Sequence, residues 1–152
     1  MTLAAQVENF TRGLGELQQL WPIHWEKLAL DKDKVALDPD MSEYLRRDAA
    51  GILLYIALRD DKALVGYWIS FITPGLHYKT CLSSTMDIWN VLPAYEKGMA
   101  PVVLMKRVEI ELARRKVQRS FVGEKLHRPC GRLYEMFGYK PIERFWSRLI
   151  IG

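Results

Sequence analysis

Two apolar stretches, Ile52 to Arg59 and Leu64 to Thr73, flank the charged link Asp60-Asp61-Lys62. Both are rich in residues that suit a pleated, buried surface, and the link is polar and short, so the pair predicts a β-hairpin. Pro74-Gly75 ends the second run. Thr80 to Val91 reads as a third extended stretch, with Met86, Ile88 and Asn90 on one face and Thr85, Asp87 and Trp89 on the other. The period then changes. Leu104, Val108 and Leu112 recur at spacings of four within Pro101 to Lys116, the stripe of an amphipathic helix whose dipole is complemented by Arg114, Arg115 and Lys116. Val117 to Gly123 predicts a short strand. Pro129 to Phe137 predicts a short helix, with Pro129 in its first turn and Gly138 just past its end. Ile142 to Ile151 alternates as a last strand.

Ahead of the hairpin, Leu3, Val7, Phe10, Leu14, Leu17 and Trp21 form one stripe at helical spacing. Pro22 is expected to break it, leaving a turn or two of helix over His24 to Leu30 and a charged loop from Asp31 to Lys34. Met41 to Ala50 predicts a second helix, closed by Gly51 in the left-handed conformation. The order of elements predicts an α+β fold, with a mixed, mainly antiparallel twisted sheet of about six strands flanked by helices. A chain of 152 residues fits one domain with a core that needs no staples.

Cys81 and Cys130 are too few for a disulfide framework, and with His24, His77 and His127 they show no metal-ligand spacing, so no metal is expected. A reducing, cytoplasmic setting follows. No apolar run approaches the roughly 20 residues of a membrane span, and the first residues carry no basic leader region, so no membrane partner is expected. Residues 97–152 carry 13 Lys and Arg against 5 Asp and Glu, whereas residues 1–96 carry 9 against 13. A basic second part suggests an anionic partner, either nucleic acid or a phosphate-bearing cofactor, and charge alone does not choose.

The segment with the most chemistry is WNVLPAYEKGMAPVV, Trp89 to Val103. A strand ends near Leu92 and a helix begins near Gly98. The first amides of such a helix lack carbonyl partners and sit at the positive end of its dipole, which suits a phosphate. Gly98 and Ala100 are small enough for close approach, and Lys97 adds a cation.

These residues resemble the GNAT superfamily of N-acetyltransferases, whose strand-to-helix junction reads V-x-P-x-x-R-x-x-G-x-G/A. Here Val91-Leu92-Pro93 leads to Gly98-Met99-Ala100. Tyr134-Glu135-Met136-Phe137-Gly138-Tyr139-Lys140 is similar to the family's Y-E-x-x-G-F-K. Tyr95 stands where the family has Arg or Gln, Pro101 removes one amide, and His127 and Cys130 replace an Asn and an Ala. Leu76-His77-Tyr78, Gly123 to His127 and Tyr139 to Glu143 are similar to members encoded by phages and prophages, which places the chain in a host cytoplasm.

The resemblance implies one domain over residues 1–152, with an acceptor side in residues 1–50 and a cofactor-binding core in 51–152. It implies acetyl-CoA as co-substrate and a primary amine as acceptor, a small molecule or a protein, attacking the thioester directly. Asn90, Val91 and Leu92 are expected to hold the pantetheine arm, Val91 or its neighbour to supply the oxyanion N–H, and Lys97, Gly98, Met99 and Ala100 to hold the diphosphate. His127 is a further candidate contact. Tyr134 is the candidate acid for the departing thiolate, and Asp87 the candidate base. Each has a plainer reading: Tyr134 as core packing, Asp87 as a surface carboxylate, His127 as a helix-start residue. Glu96 is unfavourable beside a diphosphate. The acidic N-terminal helices suit a cationic amine and equally suit any solvated helix pair. A catalytically degenerate member with a structural or host-binding role, and a nucleic-acid-binding module built on Arg114, Arg115, Lys116 and Arg119, are the competing readings; a homodimer or a phage or host protein partner is compatible with the enzyme and with its degenerate form.

Overall fold

The computed structural model describes residues 2–150. Five strands form one sheet in the order β1 (Leu3–Val7), β2 (Leu53–Asp60), β3 (Ala63–Gly75), β4 (Tyr78–Val91) and β5 (Arg119–Phe121). Every pairing is antiparallel except the parallel pair β4–β5. Helices α1 (Phe10–Leu28) and α2 (Met41–Ala49) cover one face; α3 (Ala100–Arg114) and α4 (Gly131–Met136) cover the other.

The hairpin is as expected, with Asp61 in the left-handed region at φ 52°. Its unbroken apolar runs are explained by cover on both faces. Leu54, Ile56, Leu58 and Trp68 pack with Leu104, Met105 and Val108 of α3. Leu53, Tyr55, Tyr67 and Ile69 pack with Phe10, Leu17 and Trp21 of α1. Each such side chain contributes about 1.5–3 kcal/mol when fully buried.

The first segment departs from expectation. Leu3 to Val7 is a strand, not the head of a helix. A spacing of four satisfies both periods, and Leu3 and Ala5 pack on the α3 face as strand residues. Asn9 then caps α1, its side chain accepting the Arg12 N–H at 2.9 Å. Pro22 does not end the helix. Its interior position costs about 3 kcal/mol, which the burial of Leu20, Trp21 and His24 around it offsets.

Gly51 closes α2 at φ +72°, left-handed as expected, and Gly138, just past α4 as expected, is left-handed too at φ +83°. Residues 142–149 form no strand, so the sheet has five strands rather than about six; Ile151 lies outside the described residues. In that segment Phe145 and Trp146 are 88% and 89% exposed.

Candidate active site

The site begins at an irregularity in β4. Ile69 pairs with Ile88 but Ser70 pairs with Met86, so Asp87 is an extra, bulged residue. The bulge resets the alternation, and the expected facing is corrected. Met86 and Trp89 lie on the α3 face, whereas Ile88 packs on the α1 face. Asn90, reached by Lys27 of α1, shares that second face. Asp87 turns toward α2, where its carboxyl accepts the Tyr44 hydroxyl.

Beyond the bulge, β4 and β5 part. They pair only at Ser83–Arg119, Ser84–Ser120 and Thr85–Phe121, so among the described residues no strand lies beside the margin of β4 from Met86 to Val91 that faces away from β3. The Leu92 N–H donates to Val65 of β3 at 2.8 Å. One residue out of phase, the N–H and C=O of Val91 therefore face the opening, and Lys27 Nζ approaches the Val91 carbonyl there at 3.4 Å.

The Tyr134 hydroxyl spans this wedge on the α3–α4 face. It accepts Trp89 Nε1–H at 2.8 Å from β4 and donates to the Gly123 carbonyl at 2.7 Å, on the chain that leaves β5. Burial pushes its ionisation well above the ordinary tyrosine range, so it stays protonated. On the opposite face, Asp40, Glu43, Tyr44, Arg47, Phe71 and Asp87 line a small cavity. The outer surface of Asp87 is exposed, yet its carboxyl points into this half-enclosed space. Desolvation raises its pKa, outweighing the Tyr44 hydrogen bond and the Arg47 charge. The two candidate catalytic groups thus lie on opposite faces of the sheet.

The phosphate loop follows at the top of β4. Pro93–Tyr95 is a 3-10 turn, and Tyr95 donates to Asp60 Oδ2 at 2.8 Å. Lys97, Gly98 and Met99 are exposed, whereas Ala100 is buried at the start of α3. The amides of Lys97, Met99, Ala100 and Val102 donate to no backbone acceptor among the described residues. A Cβ at Gly98 would meet only the Tyr95 carbonyl, at 3.9 Å, so the approach is open. The loop therefore fits a diphosphate on main-chain donors, with Pro101 contributing none. Glu96, expected to oppose an anion, is answered by Lys27 Nζ at 2.5 Å and Arg128 at 3.4 Å. His127 is exposed on the loop between β5 and α4 and meets none of these groups.

Sequence reasoning did not find Tyr44, Arg47, Lys27 or Trp89. Tyr44 meets Asp87 across 43 positions and Lys27 meets Asn90 across 63, separations with no local pattern. Among the described residues, no group of three His, Cys, Asp or Glu is placed to hold a metal ion, and no helix is long and apolar enough to cross a membrane.

No family model matches the sequence, and no curated protein matches it. Solved structures do. A GCN5-related N-acetyltransferase from Ralstonia eutropha JMP134 superposes with a TM-score of 0.78 at 16% identity, over 97% of this chain and 99% of that one. The chain has the GNAT acetyltransferase fold. A ribosomal-protein-alanine N-acetyltransferase from Brucella melitensis gives 0.71 at 18% identity, over 100% and 98% of the two chains. A predicted acetyltransferase from Clostridium acetobutylicum, solved with acetyl-CoA, gives 0.68 at 10% identity, over 98% and 97%. The wedge beside β4, the bulge and the loop ahead of α3 are built by this chain's own residues.

Proposed function

We propose that the chain is an N-acetyltransferase, moving the acetyl group of acetyl-CoA to a primary amine by direct attack in a ternary complex. The observation that carries the reading is the wedge between β4 and the chain beyond β5, with the Tyr134 hydroxyl bridging it. The amides around Met99 and Ala100 hold the diphosphate, and the open margin at Asn90, Val91 and Leu92 holds the pantetheine arm. The Val91 N–H faces the developing oxyanion. Asp87, with its raised pKa, takes a proton from the incoming ammonium, and Tyr134 returns one to the departing thiolate. Asp40, Glu43 and Asp87 around one cavity favour a cationic acceptor.

A second reading, a non-catalytic protein on the same fold acting as a phage-particle component or a host-protein ligand, has one observation in its favour. The Tyr134 hydroxyl already donates to Gly123, and Lys27, Glu96 and Arg128 tie α1 to both loops at the wedge. Titration calorimetry with acetyl-CoA, followed by mass spectrometry of polyamine and lysine-peptide acceptors, separates the two. Binding with acetyl transfer is expected. Asp87→Asn is expected to lower kcat by about 10²- to 10⁴-fold while leaving the affinity for acetyl-CoA unchanged. No heat at millimolar acetyl-CoA would sink the enzyme reading; binding without transfer to any amine favours the second.

A further inference from the structure

Lys27 takes no part in the transfer step, yet it sits at the centre of the wedge. It lies in the last turn of α1, and its side chain is only 15% exposed, whereas lysines ordinarily stand in solvent. Its ammonium group meets Asn90 Oδ1, Glu96 Oε1 at 2.5 Å and the Val91 carbonyl at 3.4 Å. An ammonium has three N–H donors, and these three acceptors, from 63 to 69 positions away in the chain, match them. The group is fixed in place rather than merely solvated.

The acceptors belong to the margin assigned to the pantetheine arm and the oxyanion. The Val91 carbonyl faces the same opening as its N–H, so a primary amine of the chain itself is anchored beside the backbone unit that receives the acetyl group. Asn90 adds an independent observation. It is 4% exposed, its Oδ1 accepts from Lys27, and its Nδ2–H has no acceptor among the described residues. A buried donor left without an acceptor costs about 1–3 kcal/mol. An acetamide oxygen on Lys27 supplies an acceptor of the kind that this donor lacks.

We propose that Lys27 is a site of intramolecular self-acetylation, and that the modification weakens the chain's hold on acetyl-CoA. The proposal rests on the transfer reading. Glu96 accepts one proton from the ammonium and releases it to water. The amine forms an N–C bond to the acetyl carbon, and the thioester C–S bond breaks. The second proton lost from nitrogen balances the one that Tyr134 gives to the departing sulfur. The products are N-acetyl-lysine, the CoA thiol and one released proton. Acetylation removes the Lys27 charge, which leaves Glu96 with Arg128 alone, at 3.4 Å. Glu96 then opposes the diphosphate more strongly, so the modification limits further cofactor binding.

Incubation of the full chain with acetyl-CoA, followed by tryptic mapping in the mass spectrometer, is expected to find one acetyl group on Lys27. It forms at a first-order rate independent of protein concentration and ahead of the exposed Lys62 and Lys97, which uncatalysed acetylation would reach first. By calorimetry, Lys27→Gln, which carries the neutral charge of the modified residue, binds acetyl-CoA about two- to fivefold more weakly than Lys27→Arg; circular dichroism reports both variants folded. Modification in order of exposure, a rate that rises with protein concentration, or equal affinity of the two variants overturns the proposal. An unmodified Lys27 in a chain that acetylates a polyamine overturns it and leaves the transfer reading standing. An unmodified Lys27 in a chain that binds no acetyl-CoA removes both.

Discussion

His24 is buried between α1 and the sheet, its Nδ1 2.8 Å from the Tyr67 hydroxyl. Loss of solvent, with help from the Lys27 and Lys125 charges, lowers its pKa from 6.5 to about 4. The unfolded chain therefore binds a proton that the folded chain refuses between those two values, and stability falls as pH drops from 6.5 to about 4. The full window corresponds to about 3 kcal/mol. Thermal melts across this range are expected to show that slope in the native chain and to lose it in His24→Gln, which keeps a polar partner for Tyr67. A native slope unchanged in the variant would assign the acid sensitivity elsewhere. Gly66 is the second position where one residue decides the geometry. A Cβ there would lie 2.9 Å from both the Asn90 carbonyl and Val91 Cγ1, closer than real contacts allow. Gly66→Ala therefore pushes β4 outward at the edge assigned to the pantetheine arm. It is expected to cost about 1–3 kcal/mol of stability and to weaken acetyl-CoA binding, both read by thermal shift with and without ligand.

Among the elements, α3 buries a carboxylate among three arginines. Glu111 is 1% exposed, and Arg107, Arg114 and Arg115 converge on it at 3.5, 2.6 and 2.9 Å. Hydrogen bonds from Arg114 and Arg115 outweigh burial and hold its pKa near 2 rather than 4.5. Its folded pKa is depressed, so its contribution is complete above pH 4.5 and is lost as pH falls toward 2. Glu111→Gln is expected to lower stability by about 1–3 kcal/mol at neutral pH and to flatten the acid limb of the unfolding curve. An unchanged neutral-pH midpoint in urea would show the cluster to be neutral in net effect. The same cluster engages Arg114 and Arg115, two of the four cations on which a nucleic-acid-binding reading rested. On the other side of the sheet, Arg59 ties Glu8 and Glu16, and Glu43 holds Arg46 and Arg47. The acidic character left for an acceptor is thus concentrated around Asp87 rather than spread along the N-terminal helices.

For the whole molecule, the tail beyond Pro141 lies on the outside of the packed body. Removing the segment beyond Pro141 takes away no buried residue of the described chain, so the truncated protein is expected to fold. Calorimetric scans of the full and truncated chains test this; loss of the cooperative transition on truncation would contradict it.

The hairpin, the amphipathic α3 stripe, both left-handed glycines and the strand–loop–helix junction were all legible in the sequence. Each is set by neighbours a few residues apart: period, turn chemistry, and the absence of a Cβ where φ is positive. The junction and the Tyr134 segment together carried the resemblance to the GNAT fold. Tertiary contacts decided the rest. Leu3 and Val7 fit either period until β2 offered a partner. Pro22 breaks a helix only where burial does not hold it. The extra residue at Asp87 exists only relative to β3, so no reading of β4 alone could orient Asp87 toward Tyr44. Residues 142–149 form no strand: apolar side chains in a segment report only a capacity for burial, whereas hydrogen bonds to a neighbouring strand are what make a strand.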